Sequence, residues 1–498
     1  MRTVRELLTG LTYTCDQGTI DQEITDLVYD SRKEFREGSM FVCLTGMVYD
    51  AHVYITQAIE KGAKVLVVEK GVQAYKGVTI IRVSNTRYAL AMISAAYFDY
   101  PARKLTIIGI TGTKGKTTTA WMTKALLEKA GYQTGIIGTI GACYQDRMIK
   151  TKNSTPESYE LHFLFDQMYK AGCTHVVMEV SSQAFMTCRV AGIYFQYGIY
   201  TNLSPDHIGK GEHKDFEEYL FYKSQIFQNS EICIANADDK YFNRVKEKST
   251  CKKIYTFGCQ KGEDIWAEQI TCLREPDFIG IYCKICGVYQ MGLKIGCMGR
   301  FNAYNAMAAM MAAYLLGVPD KDIIEVMYHM AVRGRVEPVH ISEKVQLLID
   351  YAHNAASVES LLTTMLEYQP KRLICVFGAG GNRSKLRRYD MGEIAGRYAD
   401  LSILTADNPR FEEVEDIIAD IKVGMERSHG HYIEIPDRKE AIRYSIEHAE
   451  NGDMIVLFGK GHEDYQEIKG IRYPFEDRKV VEEVIYEKRN SRRDCKSL

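Results

Sequence analysis

The stretch KLTIIGITGTKGKTTT, Lys104–Thr119, passes from an apolar strand through a glycine-rich turn into a helix. Its first residues are apolar or β-branched, which predicts a buried strand. We expect Gly109, Gly112 and Gly115 to bend the backbone tightly and to turn its N–H groups inward. Those groups, with the N-terminal end of a helix that begins near Thr117, form a cradle for polyphosphate. The stretch therefore predicts a site for a nucleoside triphosphate.

Two side chains of this turn have the chemistry that a triphosphate requires. Lys116 can reach the β- and γ-phosphates, and the Thr117 hydroxyl can ligate the accompanying Mg²⁺. The common G-x-x-x-x-G-K-T spacing is not kept, because Ile110 stands at the place of the first glycine. A glycine turn with solvent-facing lysines is the alternative, and the density of glycine, lysine and threonine disfavours it. The residues assigned to the nucleotide are Gly112, Thr113, Lys114, Gly115, Lys116, Thr117 and Thr118.

The composition is that of an ordinary globular protein. The chain has 498 residues, 46% of them hydrophobic and 26% charged, which indicates about three domains. Its net charge of −2, with both signs interspersed, argues against a nucleic-acid or membrane-surface binder. The longest apolar run, Ala306–Val318, is too short to span a bilayer. Fourteen cysteines without an export signal predict reduced thiols in a cytoplasm.

The order of strands and helices predicts an α/β fold of three domains, each a mainly parallel sheet with flanking helices. The boundaries fall at residues 1–100, 101–333 and 334–498, and the central domain is of the phosphate-loop ATPase type. Within the central domain we expect a hairpin between Gly280 and Leu293. Cys283 and Cys286 form an isolated C-x-x-C there, which we interpret as strand residues and not as a zinc site. Ligands of such sheets bind at the carboxyl ends of the strands. The candidate site residues at these ends are Glu179, Asn202, Asp350, Gly378, Asp407 and Gly459.

A triphosphate site needs metal ligands beyond the threonine of the loop. Glu179 ends the strand HVVMEV, where its carboxylate is well placed to hold Mg²⁺ opposite Thr117. A strand-end glutamate alone is more often a cap or a surface group, but a neighbouring phosphate loop favours the metal. His207, after the turn TNLSPDH, is a second candidate ligand.

Ten segments occur in the order shown by the Mur ligases, and the chain resembles that family over nearly its whole length. They are TGTKGKTTT, STPES, MEVSS, TNLSPDH, GRFNAYNAMAA, GRVEPV, DYAHNAASV, FGAGGNR, DNPR and GKGHEDYQ. The resemblance implies a UDP-binding N-terminal domain, a central ATPase and a C-terminal domain for an amino acid. It also implies an ATP-dependent ligase that adds meso-2,6-diaminopimelate to the D-glutamate of UDP-N-acetylmuramoyl-L-alanyl-D-glutamate. The reaction would pass through an acyl phosphate, release ADP and phosphate, and supply peptidoglycan precursors.

The resemblance also implies roles for individual residues, with Mg²⁺ as the metal. Lys223 matches a carbamylated lysine that ligates Mg²⁺, although its helix would also accommodate a solvated lysine. The implied catalytic residues are Lys116, Lys223 and His207, and the implied metal ligands are Thr117, Glu179, His207 and Lys223. The residues that match contacts to adenine, ribose or phosphate are Asn302, Arg335, Asp350 and His353. Those that match contacts to the UDP-muramoyl dipeptide are Ser31, Ser154, Thr155, Ser181 and Arg189.

Specificity for the added amino acid is implied by the DNPR segment. Arg410 offers a planar fork that can pair with the distal carboxylate of diaminopimelate, which L-lysine lacks. Glu463 would meet the distal ammonium. A proline turn that caps a helix and carries a surface arginine is the alternative interpretation. The residues assigned to the amino-acid pocket are Arg383, Asp407, Asn408, Pro409, Arg410, Gly459 and Glu463.

Three positions depart from the family pattern. Gln183 stands where a histidine is usual, the loop Ile208–His213 departs from the common D-Y-H, and Ser154 replaces a threonine. These changes leave the acceptor open, so L-lysine or another diamino acid is the alternative substrate. A plain phosphate-loop ATPase or kinase and a catalytically silent paralogue are further alternatives. We expect a monomer that binds neither nucleic acid nor membrane.

Overall fold

The computed structural model describes residues 2–46, 50–206, 208–209, 212–275 and 277–494. The chain divides into two compact units. Unit 1 comprises Met1–Trp266, Gly287–Tyr289 and Tyr304–Ile323. Unit 2 comprises Ala267–Cys286, Gln290–Ala303 and Ile324–Leu498.

The N-terminal part of unit 1 carries a five-stranded sheet and a separate two-stranded one. Its strands are β1 (Arg2–Thr3), β2 (Tyr13–Gln17), β3 (Glu23–Ile24), β4 (Leu27–Val28), β5 (Ser39–Val42), β6 (Ala63–Val68) and β7 (Thr79–Val83). Its helices are α1 (Val4–Leu7), α2 (Ile55–Glu60) and α3 (Thr86–Tyr97). The sheet order is β2-β7-β6-β5-β4, and β4 to β7 run parallel to one another. The nearly continuous apolar run of β6 is explained by its central place in this sheet, covered on both faces.

The next part of the chain builds the sheet that carries the phosphate loop. Its strands are β8 (Thr106–Thr111), β9 (Thr134–Gly138), β10 (Gly141–Tyr144), β11 (Arg147–Ile149), β12 (His175–Glu179), β13 (Phe195–Tyr200), β14 (Ser230–Asn236), β15 (Lys253–Gly258), β16 (Ile265–Glu275), β17 (Phe278–Gly287) and β18 (Met291–Ile295). Its helices are α4 (Lys116–Lys129), α5 (Ser158–Lys170), α6 (Ser182–Met186), α7 (Phe216–Ser224), α8 (Phe242–Val245), α9 (Phe301–Leu315) and α10 (Asp320–Tyr328).

In unit 1 the strand order is β11-β10-β9-β12-β8-β13-β14-β15, followed by the first residues of β16. From β9 to β16 all neighbours are parallel, whereas β10 and β11 pair antiparallel at the edge. The predicted hairpin is confirmed in unit 2 as the antiparallel pair β17–β18, with Cys283 and Cys286 in β17.

The role that we expected for Gly109 is wrong. Gly109 lies inside β8 and not in the turn. A Cβ there would lie 2.7 Å from the ring of Phe195, so this glycine makes room for a buried aromatic side chain. The bend begins only at Gly112.

The remainder of unit 2 consists of a six-stranded sheet with flanking helices and a separate two-stranded sheet. Its strands are β19 (Glu337–His340), β20 (Gln346–Asp350), β21 (Leu373–Phe377), β22 (Leu401–Leu404), β23 (Tyr432–Glu434), β24 (Met454–Phe458), β25 (Tyr465–Ile468) and β26 (Ile471–Pro474). Its helices are α11 (Ala355–Leu366), α12 (Lys385–Tyr398), α13 (Val414–Arg427), α14 (Arg438–Glu447) and α15 (Asp477–Asp494). The sheet order is β19-β20-β24-β21-β22-β23, parallel except for the pair β19–β20. Separate apolar clusters cover its two faces.

The predicted fold class, mainly parallel sheets with flanking helices, is confirmed. The three predicted domains stay a prediction, since the contacts group the chain into two units although each predicted range contains its own sheet. Within the described ranges, no helix is long and apolar enough to cross a bilayer.

Candidate active site

The turn between β8 and α4 requires glycine at two positions. The backbone angle φ is +148° at Gly112 and +86° at Gly115, a region that other residues adopt with difficulty. A Cβ at Gly112 would lie 1.9 Å from Thr201 Oγ1, and one at Gly115 would lie 2.4 Å from Asn305 Oδ1. The helix then begins at Lys116. The predicted strand, turn and helix are therefore present. The positive φ angles and the lack of space for a Cβ explain why glycine stands at both positions.

Residues that follow β13 hold the loop in shape. The backbone N–H of Thr113 donates to the carbonyl oxygen of Asn202 at 2.9 Å. The N–H of Lys114 donates to Asn202 Oδ1 at 2.9 Å, and Thr201 Oγ1 donates to the carbonyl oxygen of Lys114 at 2.7 Å. The loop is thus braced by side chain and backbone of a neighbouring strand end. The sequence placed Asn202 among the candidate site residues at the strand ends without a role of its own, and the structure shows it bracing the loop.

Lys116 and Lys223 meet at the start of the loop. Lys116 Nζ donates to the carbonyl oxygens of Gly112, at 2.7 Å, and of Thr113, at 2.9 Å. Lys223 Nζ donates to the same Gly112 oxygen at 2.7 Å and to Thr111 Oγ1 at 3.4 Å. Burial lowers the pKa of Lys223 well below its ordinary value, and the charge of Lys116 lowers it further. The helix α7 therefore brings a buried amine to the phosphate loop.

Glu179 lies at the carboxyl end of β12, next to the loop, because it is the register partner of Ile110 near the end of β8. Its side chain is buried. Glu179 Oε1 accepts a hydrogen bond from the N–H of Thr139 at 2.8 Å, and Oε2 accepts one from Thr139 Oγ1 at 3.1 Å. A Cβ at Gly138 would lie 2.3 Å from Oε1, so glycine there leaves room for the carboxylate.

The donor set that we assigned to Mg²⁺ is chemically mixed. Thr117 and Glu179 supply oxygen atoms, which are the ligands that Mg²⁺ prefers. The amine of Lys223 is not such a ligand and fits the metal only after conversion to a carbamate. His207 lies outside the described residues. Among the residues that are described, no group of three or more His, Cys, Asp or Glu side chains could hold a metal ion.

Residues assigned to the muramoyl dipeptide gather around the end of β12. Thr155 Oγ1 donates to the carbonyl oxygen of Glu179 at 2.9 Å and accepts from the N–H of Ser181 at 3.0 Å. Arg189 Nη1 donates to the carbonyl oxygen of Thr155 at 3.1 Å. Ser154 Oγ lies 2.8 Å from Thr139 Oγ1, the hydroxyl that holds Glu179. The structure brings these residues together.

Ser31 belongs to the N-terminal sheet region. Its carbonyl oxygen accepts a hydrogen bond from Lys61 Nζ at 2.7 Å. Its neighbours Asp30 and Arg32 form an ion pair at 2.7 Å. This segment is therefore held by its own ion pair and by Lys61, the residue that follows α2.

The departures from the family pattern lie near each other. Gln183 is half-buried in α6, and its carbonyl oxygen accepts from Thr187 Oγ1 at 2.6 Å. The preceding Ser182 Oγ lies 2.8 Å from His213 Nε2, and His213 is fully buried beside the ring of Tyr219. A histidine of the altered loop therefore reaches the segment in which Gln183 replaces the usual histidine.

In unit 2, Asp350 ends β20 and fixes the segment that carries Arg335. The Asp350 carboxylate accepts hydrogen bonds from the N–H groups of Val336 and Ala352, each at 2.7 Å. Burial raises the pKa of Asp350. The carboxylate thus joins two chain segments at the carboxyl end of the strand.

Tyr351 lies between the other residues that we assigned to the nucleotide. The Arg335 guanidinium lies 5.4 Å from the centre of the Tyr351 ring. His353 Nδ1 lies 2.9 Å from the carbonyl oxygen of Tyr351, and burial lowers the pKa of His353. Asn302 is a buried residue of the same unit, and its Nδ2 donates to the carbonyl oxygen of Met298 at 2.7 Å.

A pocket of about 130 Å³ opens at the carboxyl ends of β21, β22 and β24. Its lining includes Tyr351, His353, Arg383, Arg387, Asp407, Asn408, Arg410, Gly459 and Glu463. The residues that we predicted to bind the amino acid therefore line one pocket, apart from Pro409. The carbonyl oxygen of Pro409 packs on the backbone of Gly381, where a Cβ would lie 1.8 Å from it.

The chain holds Arg410 in place from two sides. Its φ of +54° lies in the left-handed region. Its backbone N–H donates to the carbonyl oxygen of Glu467 at 2.9 Å, and Nη1 donates to the carbonyl oxygen of Gly381 at 2.7 Å. Arg410 Nε also lies 3.5 Å from the Glu467 carboxylate. The guanidinium is thus oriented at the pocket wall.

Sequence reasoning missed the buried Arg438 beneath this pocket. Arg438 forms two hydrogen bonds of 2.7 Å with the Asp477 carboxylate. It also donates to the carbonyl oxygens of Ala406, at 3.2 Å, and Phe458, at 3.3 Å. These residues immediately precede Asp407 and Gly459. No local pattern distinguishes Arg438 from a surface arginine of an exposed helix.

The comparisons with known proteins agree with this geometry. The profile of the Mur ligase middle domain matches residues 110–313, and that of the Mur ligase, glutamate ligase domain matches residues 334–461. The UDP-N-acetylmuramoyl-L-alanyl-D-glutamate–2,6-diaminopimelate ligase of Clostridium perfringens is 39% identical over 488 residues, which cover 97% of this chain and 99% of that protein. The ligase of the same name from Clostridium botulinum is 40% identical over 473 residues, or 94% of this chain and 96% of that one.

Solved structures extend the comparison. A UDP-N-acetylmuramoyl-L-alanyl-D-glutamate–2,6-diaminopimelate ligase matches with a TM-score of 0.70 and 26% identity, covering 98% of this chain and 99% of that chain. A Mycobacterium tuberculosis folylpolyglutamate synthase complexed with ADP shares the fold alone, with a TM-score of 0.58 and 15% identity over 75% of this chain and 91% of that one.

The fold, the phosphate loop and these matches define an ATP-dependent ligase. The chain belongs to the Mur ligase family. The resemblance that the ordered motifs indicated is therefore confirmed.

Proposed function

We propose that this chain adds meso-2,6-diaminopimelate to the D-glutamate of UDP-N-acetylmuramoyl-L-alanyl-D-glutamate, at the expense of ATP, in peptidoglycan precursor synthesis. The observation that carries the proposal is the pocket of unit 2. Its wall combines the cations Arg383, Arg387 and Arg410 with the carboxyl groups of Asp407 and Glu463. Meso-diaminopimelate carries two carboxylates and two ammonium groups, so its charges complement that wall. The names of the similar ligases support the same reaction.

The proposed chemistry has two steps. The side-chain carboxylate of D-glutamate attacks the γ-phosphorus of ATP, which gives an acyl phosphate and ADP. The amine of the incoming amino acid then attacks the acyl carbon, loses a proton and displaces phosphate as the amide forms. Lys116, the first residue of α4, stabilises the negative charge of the transferring phosphoryl group together with the N–H groups of the loop.

We also propose that Thr117, Glu179, His207 and a carbamylated Lys223 hold Mg²⁺. The bound metal supplies electrostatic stabilisation to the phosphate oxygens. The protein's own contribution is to keep the Lys223 amine buried beside Gly112. Its nitrogen adds to the carbon of CO₂ and loses a proton, and the resulting carbamate carries the oxygens that Mg²⁺ accepts.

The remaining assignments follow the two units. In unit 2 we assign Asn302, Arg335, Asp350 and His353 to the nucleotide. In unit 1 we assign Ser31 to the UDP moiety and Ser154, Thr155, Ser181 and Arg189 to the muramoyl dipeptide. Both ATP and the UDP-linked acceptor are metabolites of the cytoplasm, where we expect the enzyme to act as a monomer.

Phosphate release from ATP tests the proposal. It should require both the UDP-muramoyl dipeptide and meso-diaminopimelate, and mass spectrometry should show the tripeptide product. A panel with L-lysine and other diamino acids tests the alternative acceptor, since L-lysine also has a distal ammonium for Glu463. Release that needs no dipeptide would indicate a plain ATPase. No release with any amino acid would indicate a silent paralogue.

A further inference from the structure

Lys460 is a fully buried lysine that contacts Asn408 and Glu463, two residues that line the amino-acid pocket. Its Nζ donates to the carbonyl oxygen of Tyr465 at 2.5 Å. It also donates to Asn408 Oδ1 and to Glu463 Oε2, each at 3.3 Å. An ammonium group has three N–H donors, and all of them are used by these acceptors. Lys460 therefore cannot bind the amino acid directly.

The same network fixes the orientation of Asn408. Its Oδ1 accepts hydrogen bonds from Lys460 Nζ and from the N–H of Glu467, the latter at 2.9 Å. Its Nδ2 consequently donates to Glu463 Oε2, at 2.8 Å. Glu463 Oε2 is thus held by both Lys460 and Asn408. Glu463 Oε1 accepts no hydrogen bond from any residue that the structure describes, and Glu463 lines the pocket.

The charges around Glu463 act in opposite directions. Burial raises the pKa of Glu463, and so does the nearby Asp407 carboxyl group. The Lys460 ammonium lowers that pKa. The other titratable or charged groups that face this carboxylate or share its pocket are Tyr351, His353, Arg383, Arg387, Arg410, Arg438 and Tyr465.

We propose that Lys460 is a positioning residue for the distal ammonium of the diamino acid. It keeps Glu463 ionised and, with Asn408, holds one oxygen so that Oε1 is presented to the ligand. Without the lysine, a half-buried carboxyl beside Asp407 takes up a proton and can no longer pair with an ammonium. The identity of the ligand rests on the proposed function, whereas the role of Lys460 holds for any amino acid with a distal ammonium.

The test compares the wild-type protein with Lys460→Met, in which an apolar chain of similar length replaces the cation. Lys439→Met is the matched control, because Lys439 is a partly exposed lysine in a surface ion pair. The kcat and KM for meso-diaminopimelate are measured from pH 6 to 9 at saturating ATP and UDP-muramoyl dipeptide. We expect KM at neutral pH to rise about tenfold to a thousandfold, with kcat less affected. The acid limb of kcat/KM should move up by about one to three pH units, the effect of one nearby charge.

A substrate without the distal ammonium isolates the contact. The wild type should use 2-aminopimelate poorly, and Lys460→Met should lose most of this discrimination at neutral pH. The double variant Lys460→Met with Glu463→Gln should be no worse than Glu463→Gln alone, because both changes remove one interaction. An unshifted acid limb with unchanged discrimination would overturn the proposal. So would a double variant in which the two losses multiply.

The outcomes separate this inference from the proposed function. If the wild type uses L-lysine and not meso-diaminopimelate, the proposed substrate is wrong. The role of Lys460 is then tested with L-lysine against 2-aminohexanoate, which lacks only the ammonium. If Lys460→Met does not fold, as judged by circular dichroism and thermal unfolding, Lys460→Arg is used in the same assays. The arginine keeps the charge and should keep the wild-type pH limb, and a shifted limb in a folded Lys460→Arg would contradict the inference.

Discussion

The Nζ atoms of Lys116 and Lys223 donate hydrogen bonds to one carbonyl oxygen, that of Gly112, each at 2.7 Å. The two lysines come from different helices, α4 and α7. Lys223 is buried, and both burial and the charge of Lys116 lower its pKa. We propose different tasks for these two amines. Lys116 would supply charge to the phosphates, and Lys223 would supply the nitrogen that is carbamylated.

We expect Lys116→Ala to abolish turnover while the fold is kept. Removal of the charge that stabilises the phosphoryl group should lower kcat by about a hundredfold to a thousandfold or more. Phosphate release under saturating substrates measures the loss, and thermal unfolding checks the fold. Lys129→Ala, at the exposed far end of the same helix, is the control and should keep full activity. A Lys116→Ala enzyme with more than about a tenth of wild-type activity contradicts the assignment of the loop.

We expect Lys223→Ala to be nearly inactive and to be partly rescued by acetate or formate. These small carboxylates can occupy the space of the missing carbamate and offer oxygen atoms to Mg²⁺. Lys223→Met fills the same space with an apolar chain and should not be rescued. Mass spectrometry of an active wild-type preparation under gentle conditions should find the carbamate. Full activity in protein that carries only unmodified Lys223 rules out this role.

The phosphate loop was predictable because its signal is local. Gly112, Gly115 and Lys116 lie within five consecutive residues. The positive φ angles of the turn favour glycine, and the phosphates need a cation, so the residue types alone indicate the site. Gly109 misled us because its cause is a distant contact with Phe195. Asn202 was a candidate from its place after a strand, but its contact with the loop becomes visible only when β13 is placed beside β8.

The amino-acid pocket shows the same limit. Arg410 and Glu463 were assigned because they lie in motifs of a family that the chain resembles. Lys460 lies inside one of those motifs, but its task depends on the direction of the Asn408 side chain, which no pattern expresses. Arg438 and Asp477 are 39 positions apart and look like surface residues in sequence, yet together they form a buried ion pair.

We expect His162 to make the protein less stable in acid. His162 is buried in α5, neither ring nitrogen has a hydrogen-bond partner in the described part of the chain, and burial lowers its pKa to about 4. An unfolded histidine takes up a proton below about pH 6.5, whereas the folded one does so only near pH 4. The stability that is present above pH 6.5 is therefore lost as the pH falls through this window, by up to about 3 kcal/mol.

Urea unfolding at pH 7 and pH 4.5 measures this difference. In His162→Leu the drop in the free energy of unfolding between the two pH values should be smaller than in the wild type. His431→Gln, at an exposed histidine, should leave the drop unchanged. An equal drop in His162→Leu and wild type would assign the acid sensitivity to other groups.

We expect Arg410 to select meso-diaminopimelate over L-lysine by pairing with the distal carboxylate. Nη1 already donates to Gly381 and Nε faces Glu467, so the guanidinium plane is fixed. Its other N–H groups make no side-chain hydrogen bond with the described residues and are left for a ligand. Loss of such a paired contact costs about 2–5 kcal/mol, or some tens- to thousands-fold in relative efficiency. Arg410→Ala should lose most of the preference, mainly through weaker use of diaminopimelate, because L-lysine has no group for the arginine to meet.

The measurement is kcat/KM for both amino acids at saturating ATP and UDP-muramoyl dipeptide. Arg410→Lys should restore little of the preference, since an ammonium cannot reproduce the planar fork. Arg427→Ala, at a partly exposed arginine of α13, is the control and should keep the wild-type ratio. If the wild type uses L-lysine as well as diaminopimelate, or if Arg410→Ala leaves the ratio unchanged, the distal carboxylate is not recognised by Arg410. The segment around Gln183 and His213, where the chain departs from its family, then becomes the region to vary.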